Sequence, residues 1–275
     1  MDKIDRIKRT VRALSILLLL NLSPPDLCFA WSEKVHTYIA EKAGIKIPGF
    51  TNIPDLIRDD NYDLNAPLHW HFAAPDTVVT SDYIDRFKLT TGRCGVLAGK
   101  TITINAPNSA GILYWETVVL FQKLTESRGW IYDYYLFMIA HFISDLSQPL
   151  HNYPRGTNPA GNGKIYPEIG AWSLERHREF DKILDDHLPP DGEMDKLVNS
   201  ATYEVNIESV DDLKREIARI ANSAIKLANQ CYAGKRSMTK EEAIRQIAMS
   251  ISLLKSVMAA TNGNSSSEPL LDMPN

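Results

Sequence analysis

Residues 132–151 read YDYYLFMIAHFISDLSQPLH. The part up to Leu146 is richly apolar and long enough to form a buried helix. Two polar residues interrupt it, His141 and Asp145, four positions apart, so their side chains project from one helical face about a turn from each other. Pro149 ends such a helix, which lets His151 turn back beside the pair. A second copy of the spacing follows in Arg176-His177-Arg178-Glu179-Phe180-Asp181. Zinc uses this pairing, taking neutral imidazole and carboxylate at about 2.0–2.2 Å from rigid elements. One such pair is as readily a surface contact; two copies with His151 nearby point to metal. His151 alone also reads as a loop histidine bonded to backbone. His187, in Asp185-Asp186-His187, reads as a solvated surface residue.

Helical periodicity recurs outside this segment. Val35, Ile39, Ala40 and Ala43 share a face, and residues 112–124 form another apolar stretch. Leu213, Ile217, Ile220, Ala224 and Leu227 mark one amphipathic helix. Ile244, Ile247, Ala248, Ile251, Leu254 and Val257 mark another, with Thr239 and Glu242 as its capping box. Residues 49–67, 72–107 and 152–171 are rich in turn formers, and residues 101–105 suit a short strand. No repeat or interdomain linker is visible, and residues 262–275 read as a flexible tail. A single all-α domain with long loops forming a metal cleft, over residues 31–261, is the expected architecture.

The first thirty residues read as a signal peptide. Lys3, Arg6, Lys8, Arg9 and Arg12 precede an apolar run at 13–20, too short to span a bilayer, and the Cys28-Phe29-Ala30 ending suits cleavage after Ala30. A secreted or periplasmic protein is expected, with a retained signal anchor as the alternative. Cleavage leaves 245 residues carrying 25 Lys+Arg against 31 Asp+Glu. This acidic balance excludes a broad basic nucleic-acid-binding face unless bound cations supply positive charge. Cys94 and Cys231 then remain, either as one disulfide or as two separate thiols. Asn264-Ser265-Ser266 is the single glycosylation pattern after the leader. No protein partner declares itself, and a monomer is the simplest expectation.

Two further groups complete the candidate chemistry. Asp55, in Pro54-Asp55-Leu56-Ile57-Arg58, and a histidine of Pro67-Leu68-His69-Trp70-His71-Phe72 can close around a metal from separate loops. Asp59, Asp60 and Asp63 compete with Asp55, and His69 competes with His71. Cleavage also makes Trp31 a residue with a free α-amino group. Amine and carbonyl can chelate a metal in a five-membered ring, with His36 completing the bite. Otherwise Trp31 reads as a core aromatic.

Taken in order, these pieces resemble the zinc-dependent phospholipase C and nuclease superfamily, and within it the S1/P1 class I nucleases. Residues 140–151, AHFISDLSQPLH, are similar to that family's H-F-x-G-D-x-H-Q-P-L-H segment. The five-residue step from Trp31 to His36, Asp181 where the phospholipases carry Glu, and the 26-residue step from His151 to His177 match the nuclease branch. Pro159-Ala160-Gly161-Asn162-Gly163 lies where those nucleases have a Gly-Gly-Asn loop. Ser32, Ser144 and Ser147 depart from the pattern, none at a ligand position.

The resemblance implies three zinc ions. Asp55, His71 and His141 would hold one; Trp31 and His36 its close partner, with Asp145 bridging; and His151, His177 and Asp181 the third. His71 is preferred over His69 because aromatic residues flank it on both sides. Asp55 would orient or deprotonate the attacking water, and Arg58 would offset charge on the phosphoryl oxygens. The implied activity is hydrolysis of single-stranded RNA or DNA to 5′-nucleotides, with 3′-nucleotidase activity besides. Zinc would also reconcile an acidic chain with a phosphate substrate. Trp70, Tyr83, Phe87 and Trp115 are candidates for stacking on a base and equally for the core. The alternatives are a phospholipase C acting on a phospholipid headgroup and a non-catalytic secreted zinc-binding protein.

Overall fold

A computed structural model describes residues 31–60, 66–88, 110–188, 190 and 192–261, with only the backbone described at 57–60 and 66. The leader, Asp63, Cys94, the 101–105 run, the glycosylation pattern and the tail lie outside the described residues. The α-helices are α1 (Glu33–Ala43), α2 (Ile53–Asp60), α3 (Ser81–Asp85), α4 (Leu113–Glu126), α5 (Gly129–Ser147), α6 (Pro167–Lys182), α7 (Gly192–Ala201), α8 (Val210–Ala233) and α9 (Lys240–Ala260). Short 3-10 turns lie at Pro48–Asn52, Ala66–Leu68, Pro149–His151 and Asp185–His187. Among the described residues there is no strand, and the architecture is a single all-α domain.

The apolar character of α5 makes it the central helix. It packs against α1, α2, α4, α8 and α9, and every residue from Leu136 to Ser147 is buried. A helix apolar all round is stable in water only when other helices cover it on every side. The amphipathic helices supply that cover. α8 contributes Leu213, Ile217, Ile220, Ala224 and Leu227, and its start is capped by Ser209, whose hydroxyl accepts from the Asp212 amide. α9 contributes Ile244, Ile247, Ala248, Ile251, Leu254 and Val257 behind the Thr239–Glu242 capping box. Although α9 is long and apolar enough to cross a membrane, 67% of its most apolar window is buried in the protein, as in a core helix. Ser250 of α9 donates to the Ile143 carbonyl of α5 at 2.7 Å, so a polar group buried between the two helices is satisfied.

Two turn-rich stretches fold differently from the expectation. Residues 49–67 contain a 3-10 turn and then α2, so Asp55 sits in the first turn of a helix rather than on a loop. Pro54 does not prevent this, because first-turn amides have no partner within the helix. Residues 72–107 contain α3, begun by Thr80, whose hydroxyl accepts from the Tyr83 amide. Residues 152–166 do form a loop, and α6 begins at Pro167. Cys231 is a buried free thiol whose pKa burial pushes up to about 11.

The end of α5 is the part of the fold that positions the site. Gln148 leaves the helical conformation (φ −75°, ψ 115°) and caps the turn that carries His151. Asn152 closes the helix end, donating to the Leu146 and Gln148 carbonyls at 2.9 Å each and accepting from the Tyr114 hydroxyl at 2.8 Å. Leu254→Ala, at a fully buried position, is expected to cost about 2–5 kcal/mol, and Thr239→Ala about 1 kcal/mol. Urea denaturation followed by circular dichroism checks both; equal costs would contradict this division between core and cap.

Candidate metal centre

Asp145 lies one turn beyond His141 on the buried face of α5, and both are fully excluded from solvent. His36 from α1, Asp55 from α2 and His69 from the segment between α2 and α3 reach the same point. Asp145 straddles the group. Its Oδ1 lies 3.5 Å from His36 Nε2, while its Oδ2 lies 3.1 Å from His69 Nδ1 and 3.4 Å from His141 Nε2. Asp55 Oδ1 faces the same two histidines at 3.7 and 3.8 Å. The His36 and His141 rings stack at 4.1 Å. Two sets of donor atoms, His36–Asp55–His141 and His69–His141–Asp145, each converge within 4.8 Å, a spacing that can hold a metal ion.

The surrounding backbone orients the histidines. His141 Nδ1 lies 2.8 Å from the Thr51 carbonyl and His151 Nδ1 lies 2.6 Å from the His69 carbonyl. A carbonyl only accepts, so Nδ1 carries the proton in each ring and Nε2 is left to face inward with its lone pair, as a metal ligand requires. Burial by itself lowers the His141 pKa. The Asp145 and Asp55 carboxylates, with hydrogen bonds to Asp145 and Thr51, outweigh it and raise that pKa above the ordinary histidine value. An entering cation competes with protonation of His141 for the same two carboxylates.

The second His/Asp pair lies alongside. His177 Nδ1 is 2.8 Å from Asp181 Oδ2, Asp181 Oδ1 accepts from Gln148 Nε2 at 2.6 Å, and the His151 and His177 rings lie 5.1 Å apart. His151, His177 and Asp181, all buried, form a third donor set within 4.8 Å. Gln148 joins this group to α5, since its Oε1 also accepts from the Leu150 and His151 amides. Asp145 Oδ1 lies 3.9 Å from His151 Nδ1 and so adjoins both groups.

The preference for His71 as a ligand is corrected: the structure brings in His69 instead. His71 Nδ1 donates to the Gly111 carbonyl at 2.8 Å, and its Nε2 meets the Tyr83 hydroxyl at 3.0 Å. Phe87 and Tyr114 pack on the ring at 4.2 and 4.4 Å. Residues 69–72 lie outside any helix, and in regularly extended backbone His69 and His71, two positions apart, would share a side. The chain bends at His69 instead, and the two rings part: His69 meets Asp145 and His71 meets the aromatic packing. Burial pushes the His71 pKa down to about 4, so it stays neutral at physiological pH. Gly111 is required here, because at φ +93° a Cβ would lie 2.0 Å from the Trp70 carbonyl oxygen.

Trp31 is fully buried, and its indole N–H donates to Ser147 Oγ at 3.0 Å. The Ser32 amide donates to the Asp181 carbonyl at 3.1 Å, and its hydroxyl pairs with Asp185. The start of the described chain is thus fastened to the ends of both helices that carry the His/Asp pairs. Ser147 is the residue that receives Trp31. Arg58 lies on α2, and its side chain is outside the described residues. His187 is exposed, as expected. Tyr83, Phe87 and Trp115 are buried, while Trp70 is partly exposed and stacks on Phe72 at 5.4 Å. Sequence reasoning did not single out Gln148 or Arg155; the latter places Nη1 3.2 Å from His177 Nε2. Arg155 follows His151 by four residues on a loop, and that proximity was its only signal.

Comparison with protein-family models, with curated proteins and with solved structures finds no match. The geometry therefore stands on its own: eight buried His and Asp side chains from six segments form three donor sets. His69→Ala is expected to lower the metal bound per chain by about one ion, while His71→Phe keeps the full content. Elemental mass spectrometry on purified protein checks this, and the opposite pattern would restore His71 as the ligand.

Proposed function

We propose that the chain is an exported zinc-dependent phosphodiesterase that hydrolyses single-stranded RNA or DNA to 5′-nucleotides, with 3′-nucleotidase activity as well. The observation that carries this reading is the convergence of His36, Asp55, His69, His141 and Asp145 beside His151, His177 and Asp181. Imidazole and carboxylate donors without thiolate suit zinc in a catalytic rather than a purely structural role. Asp55, His69 and His141 would hold one ion; Trp31 and His36 a second, with Asp145 between them; and His151, His177 and Asp181 a third. Bound zinc supplies Lewis acidity and a water ionised near neutral pH.

The protein's own groups supply orientation and charge. Asp55 is 3% exposed and held in the first turn of α2; its role in this reading is to orient the attacking water and take its proton. A new phosphorus–oxygen bond forms to that water as the bond to the 3′-oxygen breaks, the departing 3′-oxygen taking a proton from solvent water and the phosphate staying on the 5′ side. Arg58, three residues on, is assigned to the charge developing on the phosphoryl oxygens. Trp70 is the member of the four candidate aromatics that is not buried, and it is the one assigned to stacking on a base. Trp31 serves as a ligand only with a free α-amino group, so removal of the leader would be an activating step.

The test is hydrolysis by purified protein of single-stranded RNA and of phosphatidylcholine vesicles. Release of 5′-nucleotides, with the rate reduced about 10²–10⁴-fold in Asp55→Asn, is the expected result. Lipid turnover without nucleotide release would assign a phospholipase C. Bound metal with no hydrolysis of either substrate, and an Asp55→Asn variant unchanged in every property, would assign a non-catalytic zinc-binding protein.

A further inference from the structure

Arg155 is the charged side chain beside the centre that the proposed chemistry leaves unused. It is 9% exposed. A guanidinium so far removed from water is costly unless an anion offsets its charge. Among the described residues no carboxylate does so: its polar contact is His177 Nε2 at 3.2 Å, and it lies over the Trp70 ring at 5.9 Å. A neutral imidazole takes one of five N–H donors and brings no negative charge.

The position of Arg155 is fixed by its neighbours. Pro154 precedes it, and the Gly156 amide donates to the Gly170 carbonyl at 2.9 Å. Gly170 admits that contact only because it lacks a Cβ, which would lie 2.1 Å from the Gly156 oxygen. The loop is thereby pinned to the first turns of α6, the helix that carries His177 and Asp181. Arginine always donates, so His177 Nε2 accepts and its Nδ1 proton goes to Asp181. Coordination of a metal through either nitrogen breaks that arrangement and frees the guanidinium for another acceptor.

We propose that Arg155 is an anion anchor: its guanidinium binds phosphate oxygens of a ligand seated between Trp70 and the His151–His177–Asp181 group. The planar fork of arginine matches phosphate in a bidentate way. This rests on the phosphodiesterase reading and adds to it a substrate-binding contact independent of Asp55 and Arg58. The shared chemistry is a phosphate ester, whether from a nucleotide or from a lipid headgroup.

The experiment is calorimetric titration of the metal-loaded protein, its metal content measured, with inorganic phosphate, adenosine 5′-monophosphate and phosphocholine. Wild type, Arg155→Lys and Arg155→Met are compared. Arg155→Met is expected to weaken phosphate binding about 10–100-fold, and Arg155→Lys less, with metal content and thermal midpoint as in wild type. A matching loss for the nucleotide identifies it as the source, and a matching loss for phosphocholine identifies the lipid headgroup; either supports the anchor. Equal phosphate affinity in wild type and Arg155→Met overturns it and leaves the phosphodiesterase reading intact. Loss of metal or of folding in both variants overturns it too, in favour of a structural role. A wild type that binds no phosphate defeats the phosphodiesterase reading itself.

Discussion

Two carboxylates, Asp55 and Asp145, lie in the interior of a helical domain within reach of three imidazoles. Negative charge in that position is tolerated only if positive charge joins it. The structure meets the requirement in two ways. Protonation of a histidine is one, and the raised pKa of His141 reflects it. A metal ion is the other, and the donor atoms are spaced for it. Each surrounding element has a role in holding this arrangement: α5 carries His141 and Asp145 through the core, α1 and α2 bring His36 and Asp55, and the Thr51 carbonyl sets the tautomer of His141.

The two halves of the centre are joined by one short segment. Gln148 ends α5, caps the turn bearing His151, and bonds to Asp181 on α6. The His151 ring donates to the His69 carbonyl, and the His71 amide donates to the His151 carbonyl at 2.9 Å, so the loop that supplies His69 is stitched to the same turn. A shift in this turn would move ligands of both groups together. Trp31 and Ser32 tie the start of the domain to the same region, through Ser147 and Asp181.

What could be read from the sequence follows from periodicity. The i,i+4 pairs His141–Asp145 and His177–Asp181 were visible because a helix fixes which residues share a face, and the same regularity marked α1, α4, α5, α8 and α9. His69 was not separable from His71, since two positions apart in extended backbone they would share a side, and it is the bend at His69 that parts them. The aromatic neighbours that favoured His71 are instead part of its packing: Tyr83, Phe87 and Tyr114 enclose a neutral, buried ring. α2 was hidden by its flanking turn residues, and α7 (Gly192–Ala201) is short with an apolar face limited to Met194 and Val198. Arg155 is set by the Gly156–Gly170 contact, a pairing across the fold that no local pattern announces.

In the proposed arrangement Asp145 lies between two metal ions held by histidines of three different segments, His36, His69 and His141. Anomalous diffraction at the zinc edge from crystals of the protein beginning at Trp31 tests it most directly. The proposed arrangement requires density at Asp55–His69–His141, at Trp31–His36 with Asp145 between these two, and at His151–His177–Asp181, with His71 outside every coordination sphere. Crystals grown with zinc that show no peak within reach of Asp145, or a peak coordinated by His71 in place of His69, would contradict it.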